Sequence, residues 1–244
     1  MKLAYLPLNF VMPLQMNKIN SIVVENPHIY NDMIMAIFRQ MNREEEKWNL
    51  LQDEDLLMLD KHCDLLMSLV DLHFHKKEIQ KELMPEIIRQ IEFGEKFEDL
   101  LEQHGDFVKL MGQLCEQYKY PLEYDFDFCL KEYLKQYKVT LADVEGSALE
   151  KLLEYIPVVQ ELTGKTVFFL HGYSDYLTED DFRHLQKWVK YQEYYITATA
   201  ITDTSTTITA AATATIVILL IFFHPHIAFA INGLYIILCT QLIP

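Results

Sequence analysis

The sequence predicts an α/β fold: a head domain on a parallel, helix-covered sheet, interrupted by an α-helical leg domain. Three observations carry this. Short apolar runs at 22–24 and 166–170 are each bounded by turn residues, as strands are. An amphipathic helix follows each run, and strands alternating with such helices argue for a parallel sheet. Between them, residues 53–120 carry helical apolar spacing with few breakers.

In chain order, NSIVVEN reads as a buried strand at 22–24, and Asn26-Pro27 turns the chain. HIYNDMIMAIFRQM follows as a helix with Ile29, Met33, Ala36 and Ile37 on one face. In the helical block, LLMLDKHCDLLMSLV and KFEDLLEQHGDFVKLMGQLCEQY both show helical spacing; their apolar residues pack on each other or on a neighbouring subunit. TVFFL, 166–170, is the second strand, between Thr163-Gly164 and His171-Gly172. Thr178 is placed to cap the next helix, with Glu179, Asp180 and Asp181 in its first turn. Phe182, Leu185, Trp188 and Val189 form that helix's apolar face. The expected division is a head from 1–52 and 141–196, a leg and hinge from 53–140, and an atypical tail from 197–244.

The tail changes character. Every lysine and arginine lies at or before Lys190, and Asp203 is the only charged residue after Tyr195. The Thr/Ala run is neutral and β-prone. The apolar run 216–239 is long enough to span a bilayer, but His224-Pro225-His226 interrupts it and no flanking cation sets an orientation. The expectation is a non-native or frame-changed ending, with part of it, 216–222, supplying a sheet strand.

Across the 244 residues, 50% are apolar and 23% charged, enough for a real core. The net charge of −15 excludes general attraction to nucleic acid or anionic membranes; DNA contact needs a local basic surface. The four cysteines, Cys63, Cys115, Cys129 and Cys239, form no CxxC pair, which argues against zinc. MKLAYLPLNF is too short an apolar run for a secretory signal, so the cytoplasm is the expected compartment.

Residues 164–166 spell GKT, the end of a phosphate-binding loop, but Val159 stands where that loop needs its first glycine. A strand also follows, where a nucleotide site needs a helix. HGYSDY lacks the closing glycine of a nucleophile elbow, making Ser174 a turn residue. His73 and His75 are two apart and have no third ligand beside them. No triad and no acid/base pair emerges from spacing. In HKKEIQKEL, Lys77 and Lys81 share a helical face while Glu78 and Glu82 dilute the charge, as on a solvated helix. In PLEYDFDF, Glu123, Asp125 and Asp127 alternate with aromatics. Extended, they crowd three carboxylates on one side, which suits a hard cation such as calcium. Alternate strand positions lie roughly 6.5 Å apart, so a flat strand cannot bring all three to one ion. The bland alternative is that Asp125 and Asp127 sit favourably before the helix FCLKEYLKQY.

The order of these features resembles the Csn-two family, the type II-A CRISPR-associated proteins needed for spacer acquisition. The resemblance rests on SIVVEN, HIYNDMIMAIF, the helical block, LEYD at 122–125 and LTGKTVFFLHGYSDYLTEDDFRHLQKWV at 162–189, and covers residues 1–196. It implies a non-enzymatic homotetrameric ring that binds Ca2+ and holds double-stranded DNA ends without reading sequence. Its partners would be the CRISPR adaptation integrase and effector nuclease, with no nucleotide. The implied head is distantly like nucleotide-binding ATPases with a degenerate P-loop. Glu123 and Asp125 match the family's acidic step, and Asp127 joins them by spacing. Lys81 matches a basic position on a leg helix; Lys76 and Lys77 join it by proximity. The chain departs from the family at Lys131, where relatives can carry an acid, and at the Thr/Ala run, which stands where a further strand is expected. The competing reading is a helical interaction protein or membrane-anchored protein without a nucleic-acid role.

Overall fold

The computed structural model describes residues 1–125, 127–201, 217–220, 228–231 and 234–237. Two compact units emerge: unit 1 is Met1–His73 with Val144–Pro244, and unit 2 is Phe74–Asp143.

Unit 1 opens with β1 (Lys2–Tyr5), β2 (Phe10–Pro13), β3 (Ile19–Val24) and α1 (Pro27–Met41), then β4 (Trp48–Gln52), β5 (Asp55–Leu57), the short α2 (Leu59–His62) and β6 (Cys63–Leu66). Unit 2 holds α3 (Lys77–Glu92), α4 (Phe97–Glu116) and α5 (Leu130–Gln136). The chain then returns through α6 (Ala148–Thr163), β7 (Val167–His171), α7 (Glu179–Val189), β8 (Tyr195–Ile201), β9 (Val217–Leu220), β10 (Ala228–Ile231) and β11 (Leu234–Ile237).

Two sheets form. The larger has the order β10-β11-β9-β3-β8-β7-β6. Every pairing from β11 to β6 is parallel, and only β10 runs antiparallel to its neighbour. The smaller sheet, β2-β1-β4-β5, is antiparallel throughout. One core joins the inner residues of both sheets to α1: Leu3, Met12, Trp48 and Leu50 from the small sheet, Ile22, Val24 and Phe169 from the large one, and Met33 and Ile37 from α1. Phe168 points to the other face of β7 and meets Tyr194, which in turn meets Trp188 of α7.

Local chemistry sets the helix ends. The Asn26 side chain accepts from the amides of His28 and Ile29, starting α1. Ser147 with Glu150 and Thr178 with Asp181 form reciprocal capping boxes on α6 and α7. Thr178 therefore caps as the sequence predicts.

Two expectations are corrected. The helix expected through LLMLDKHCDLLMSLV is broken: after one turn at α2 the chain becomes β6, buried at all four positions and parallel to β7. A run this short satisfies both periods, and pairing with β7 at the edge of the parallel sheet decides it. Asp64, in mid-strand, is 7% exposed and accepts a hydrogen bond from the Tyr155 hydroxyl at 2.9 Å. Unit 2 accordingly begins later than the 53–140 block. Second, the Thr/Ala run, expected to stand in place of a strand, itself begins as one. β8 lies between β3 and β7, with Ile196, Thr197 and Ala198 each 0% exposed. The strand expected at 216–222 is found as β9, parallel to β3. Much of the run 216–239 lies outside the described residues; among those described, no helix is long and apolar enough to cross a membrane.

Within unit 2, the entering and leaving stretches of chain are tied together. Phe74 N donates to Asp143 Oδ1 at 3.0 Å, His75 Nε2 lies 3.1 Å from Asp143 Oδ2, and Gln80 donates to Thr140 at 2.7 Å. Phe128 and Tyr133 pack against α4 through Phe97 and His104, and His104 Nδ1 lies 2.8 Å from the Tyr133 hydroxyl.

Candidate calcium and DNA-binding residues

Glu123, Asp125 and Asp127 lie in a segment without regular structure between α4 and α5, all three exposed. Helix α5 starts only at Leu130 and carries Glu132 as its sole first-turn acid. Asp125 and Asp127 are therefore outside the turn where a helix dipole would reward them. The Asp125 carboxylate turns back on its own chain and accepts from Asp127 N at 3.0 Å. Hard carboxylate oxygens are the right donor class for calcium. The run does not gather them alone: among the described residues no group of three or more His, Cys, Asp or Glu side chains is placed to hold a metal ion. Further ligands would have to come from outside this segment.

Lys76 stands at the N-cap position of α3 without a side-chain capping bond, Lys77 begins the helix and Lys81 follows one turn on. Lys77 and Lys81 are exposed on one face, with Lys81 3.4 Å from Glu82. The positive end of the helix dipole adds to this charge. Most other cations of unit 2 are held by acids within their own helices: Arg89 by Glu86, Lys96 by Asp99, Lys109 by Asp106 and Lys135 by Glu132. Lys131, read from sequence only as a departure from the family's pattern, and Lys138, which sequence reasoning did not weigh, show no ion pair among the described residues.

The GKT segment is ruled out as a phosphate loop. Gly164 is the left-handed cap of α6, at φ 72°, with its amide bound to the Gln160 carbonyl. Lys165 is 5% exposed, and the Thr166 amide donates to the His62 carbonyl. Val159 sits 2% exposed inside α6. At the start of α1 after β3, where a phosphate could also meet a helix, the amides of His28 and Ile29 are filled by Asn26.

Sequence reasoning missed a polar cluster at the carboxyl edge of the large sheet. The Tyr30 hydroxyl lies 2.7 Å from His171 Nδ1 and 3.3 Å from both the carbonyl and hydroxyl of Thr199. The Thr199 hydroxyl donates to the Leu170 carbonyl at 3.2 Å. No local signal joins residues this far apart in sequence. Burial pushes the His171 imidazole below its ordinary value, opposed by Asp175, and burial raises the Tyr30 phenol. The unfolded chain takes up a proton on His171 near pH 6.5 and the folded chain only at lower pH. Stability from neutral His171 is therefore present above pH 6.5 and is lost as pH falls through the folded-state value. Denaturation at pH 7.5, 6.5 and 5.5 should show the parent losing stability relative to His171→Gln as acid is added. Parallel curves would mean that burial of the neutral ring carries no such cost.

A family model described as CRISPR-associated protein (Cas_Csn2) matches residues 40–208. The chain belongs to that family. The match begins inside α1 and takes in unit 2, α6, β7, α7 and β8. It therefore covers both the carboxylate segment and the lysine-bearing helix. Family membership gives the chain a CRISPR-associated role. No curated protein matches the chain.

Proposed function

We propose that the protein is a non-catalytic, calcium-dependent ring of four copies that holds double-stranded DNA ends during CRISPR spacer acquisition. The observation that carries this reading is the family match across 40–208. The exposed Lys77–Lys81 face at the amino end of α3 is the local basic surface that a protein of net charge −15 needs for DNA. Lys76, Lys77 and Lys81 meet phosphates, and binding confined to phosphates gives no sequence preference. Glu123, Asp125 and Asp127 contribute oxygen ligands to calcium, which neutralises charge that would otherwise oppose copies approaching one another. Integrase and effector nuclease are the proposed partners, in the cytoplasm.

The test compares short linear duplex with covalently closed circles, with calcium and with chelator. Linear duplex should bind better, and chelation should reduce both binding and assembly size in light scattering. Alanine at Lys76, Lys77 and Lys81 should lower the salt slope by about 0.9 for each phosphate that is no longer neutralised. Equal affinity for open and closed DNA overturns the ring reading. Indifference to chelator overturns the calcium assignment.

A further inference from the structure

Among the described residues, the small antiparallel sheet ends on β5, which pairs there with β4 alone. β5 is a short strand with Leu56 63% exposed, and Met58 just beyond it is 48% exposed. An unpaired strand edge with apolar side chains is a template for another strand unless something covers or guards it. The opposite edge, β2, ends in Pro13, which cannot donate to a ladder.

A cleft of about 240 Å3 opens at this end of the sheet, lined by Gln40, Arg43, Glu45, Glu46, Leu56 and Asp60 among others. It is held in shape locally. The Gln40 side chain accepts from the amides of Lys47 and Trp48 and donates to the Trp48 carbonyl. The cation lining it is already engaged, Arg43 binding Asp60 through Nε and a terminal nitrogen at 2.8 and 2.7 Å, and Lys47 nearby in sequence pairs with Glu45 Oε1. The other Glu45 oxygen is buried, 4.0 Å from Arg39, and has no hydrogen-bond partner among the described residues. Glu46, Asp53, Glu54 and Asp55 are exposed around the same edge, with no ion pair among the described residues. Lys61, one residue past the cleft, is the nearest further cation in sequence.

We infer that the β5 edge and its cleft form a docking site for an extended, basic segment of a partner protein. The segment adds a strand beside β5 through main-chain hydrogen bonds. An apolar residue covers Leu56. Lysine or arginine side chains meet the exposed carboxylates of the rim, Glu46 and Asp55 among them. The same rim opposes pairing with a second copy of this edge, because that would set acid against acid.

The probe is a fluorescein-labelled ten-residue peptide alternating valine with lysine, titrated with the full chain by anisotropy. A second peptide carries glutamate for lysine, and a third carries N-methyl groups on alternate amides. The basic peptide should bind, the acidic one should not, and N-methylation should weaken binding at least tenfold. The Glu46→Lys, Asp55→Lys double variant should also bind at least tenfold more weakly. Glu98→Lys with Asp99→Lys, the same charge change on α4, should leave binding unchanged. Circular dichroism confirms that each variant folds. Equal loss in both double variants would reduce the effect to net charge and overturn the site. Tolerance of N-methylation would overturn strand addition. Self-association of the parent that Leu56→Lys abolishes would assign the edge to a second copy instead.

Discussion

Ending the chain after Ile196 should leave unit 1 without a cooperative fold. The cut removes all but the first two residues of β8, and β8 is paired on both edges. Its register runs Ile19↔Ile196 to Val24↔Ile201 on one side and Val167↔Tyr195 to His171↔Thr199 on the other. Without it, β3 and β7 lose their shared neighbour, and the buried backbone groups that faced it lose their partners. The buried side chains of Ile22, Phe168 and Phe169 would then line an opened sheet. Near-ultraviolet circular dichroism and urea titration measure the outcome. A transition with the parent's slope would show that β8 contributes nothing to the fold, because the slope follows the surface exposed on unfolding.

Replacing Trp48 by alanine should cost about 3–5 kcal/mol, the usual range for emptying a large aromatic site. The side chain is 1% exposed, donates from Nε1 to the Met33 carbonyl at 3.1 Å, and lies 4.7 Å from the Tyr5 ring. It joins the small sheet to α1, so no single neighbour can collapse into the space. A domain typically holds about 5–15 kcal/mol in total, so this loss takes a large part of it. Trp48→Phe keeps much of the packing and loses the hydrogen bond, for about 1–3 kcal/mol. Trp188 remains as the fluorescent reporter of unfolding in both variants. Similar urea midpoints for the parent and Trp48→Ala would remove this residue from the core's main supports.

The parallel sheet was legible where its strands carry β-branched or aromatic residues between turn formers, as in β3 and β7. The caps were legible too, because Thr178 and Asp181 act within one turn. β6 was not, because Cys63–Leu66 reads equally as a helix until β7 is beside it. β8 was hidden for a different reason. Alanine and threonine bring little hydrophobic signal, and their burial follows from neighbours distant in sequence. The small sheet left no trace in the pattern. Its turns use Asn9 at φ 49° and Asp53 at φ 54° in place of glycine, so the usual hairpin signals are missing. Among the site residues, the carboxylate run was plain in sequence. Sequence could not show the Asp125 side chain folding onto its own backbone, or the helix starting only after it. The exposure of Lys77 and Lys81 followed from spacing, whereas the contact of Tyr30 with His171 needed the sheet to exist first.

The position of β3 has a consequence for synthesis on the ribosome. It is buried at all six positions, yet its neighbours β8 and β9 both come from the far end of the chain, at Tyr195–Ile201 and Val217–Leu220. At about 5–20 residues per second, translation from Val24 to Ile201 takes roughly 10–35 s. Throughout that interval an apolar, β-prone segment near the amino end has neither edge paired. A nascent chain stalled before β8 emerges should therefore be open to proteases and attractive to chaperones, and release of the remaining residues should close both edges together.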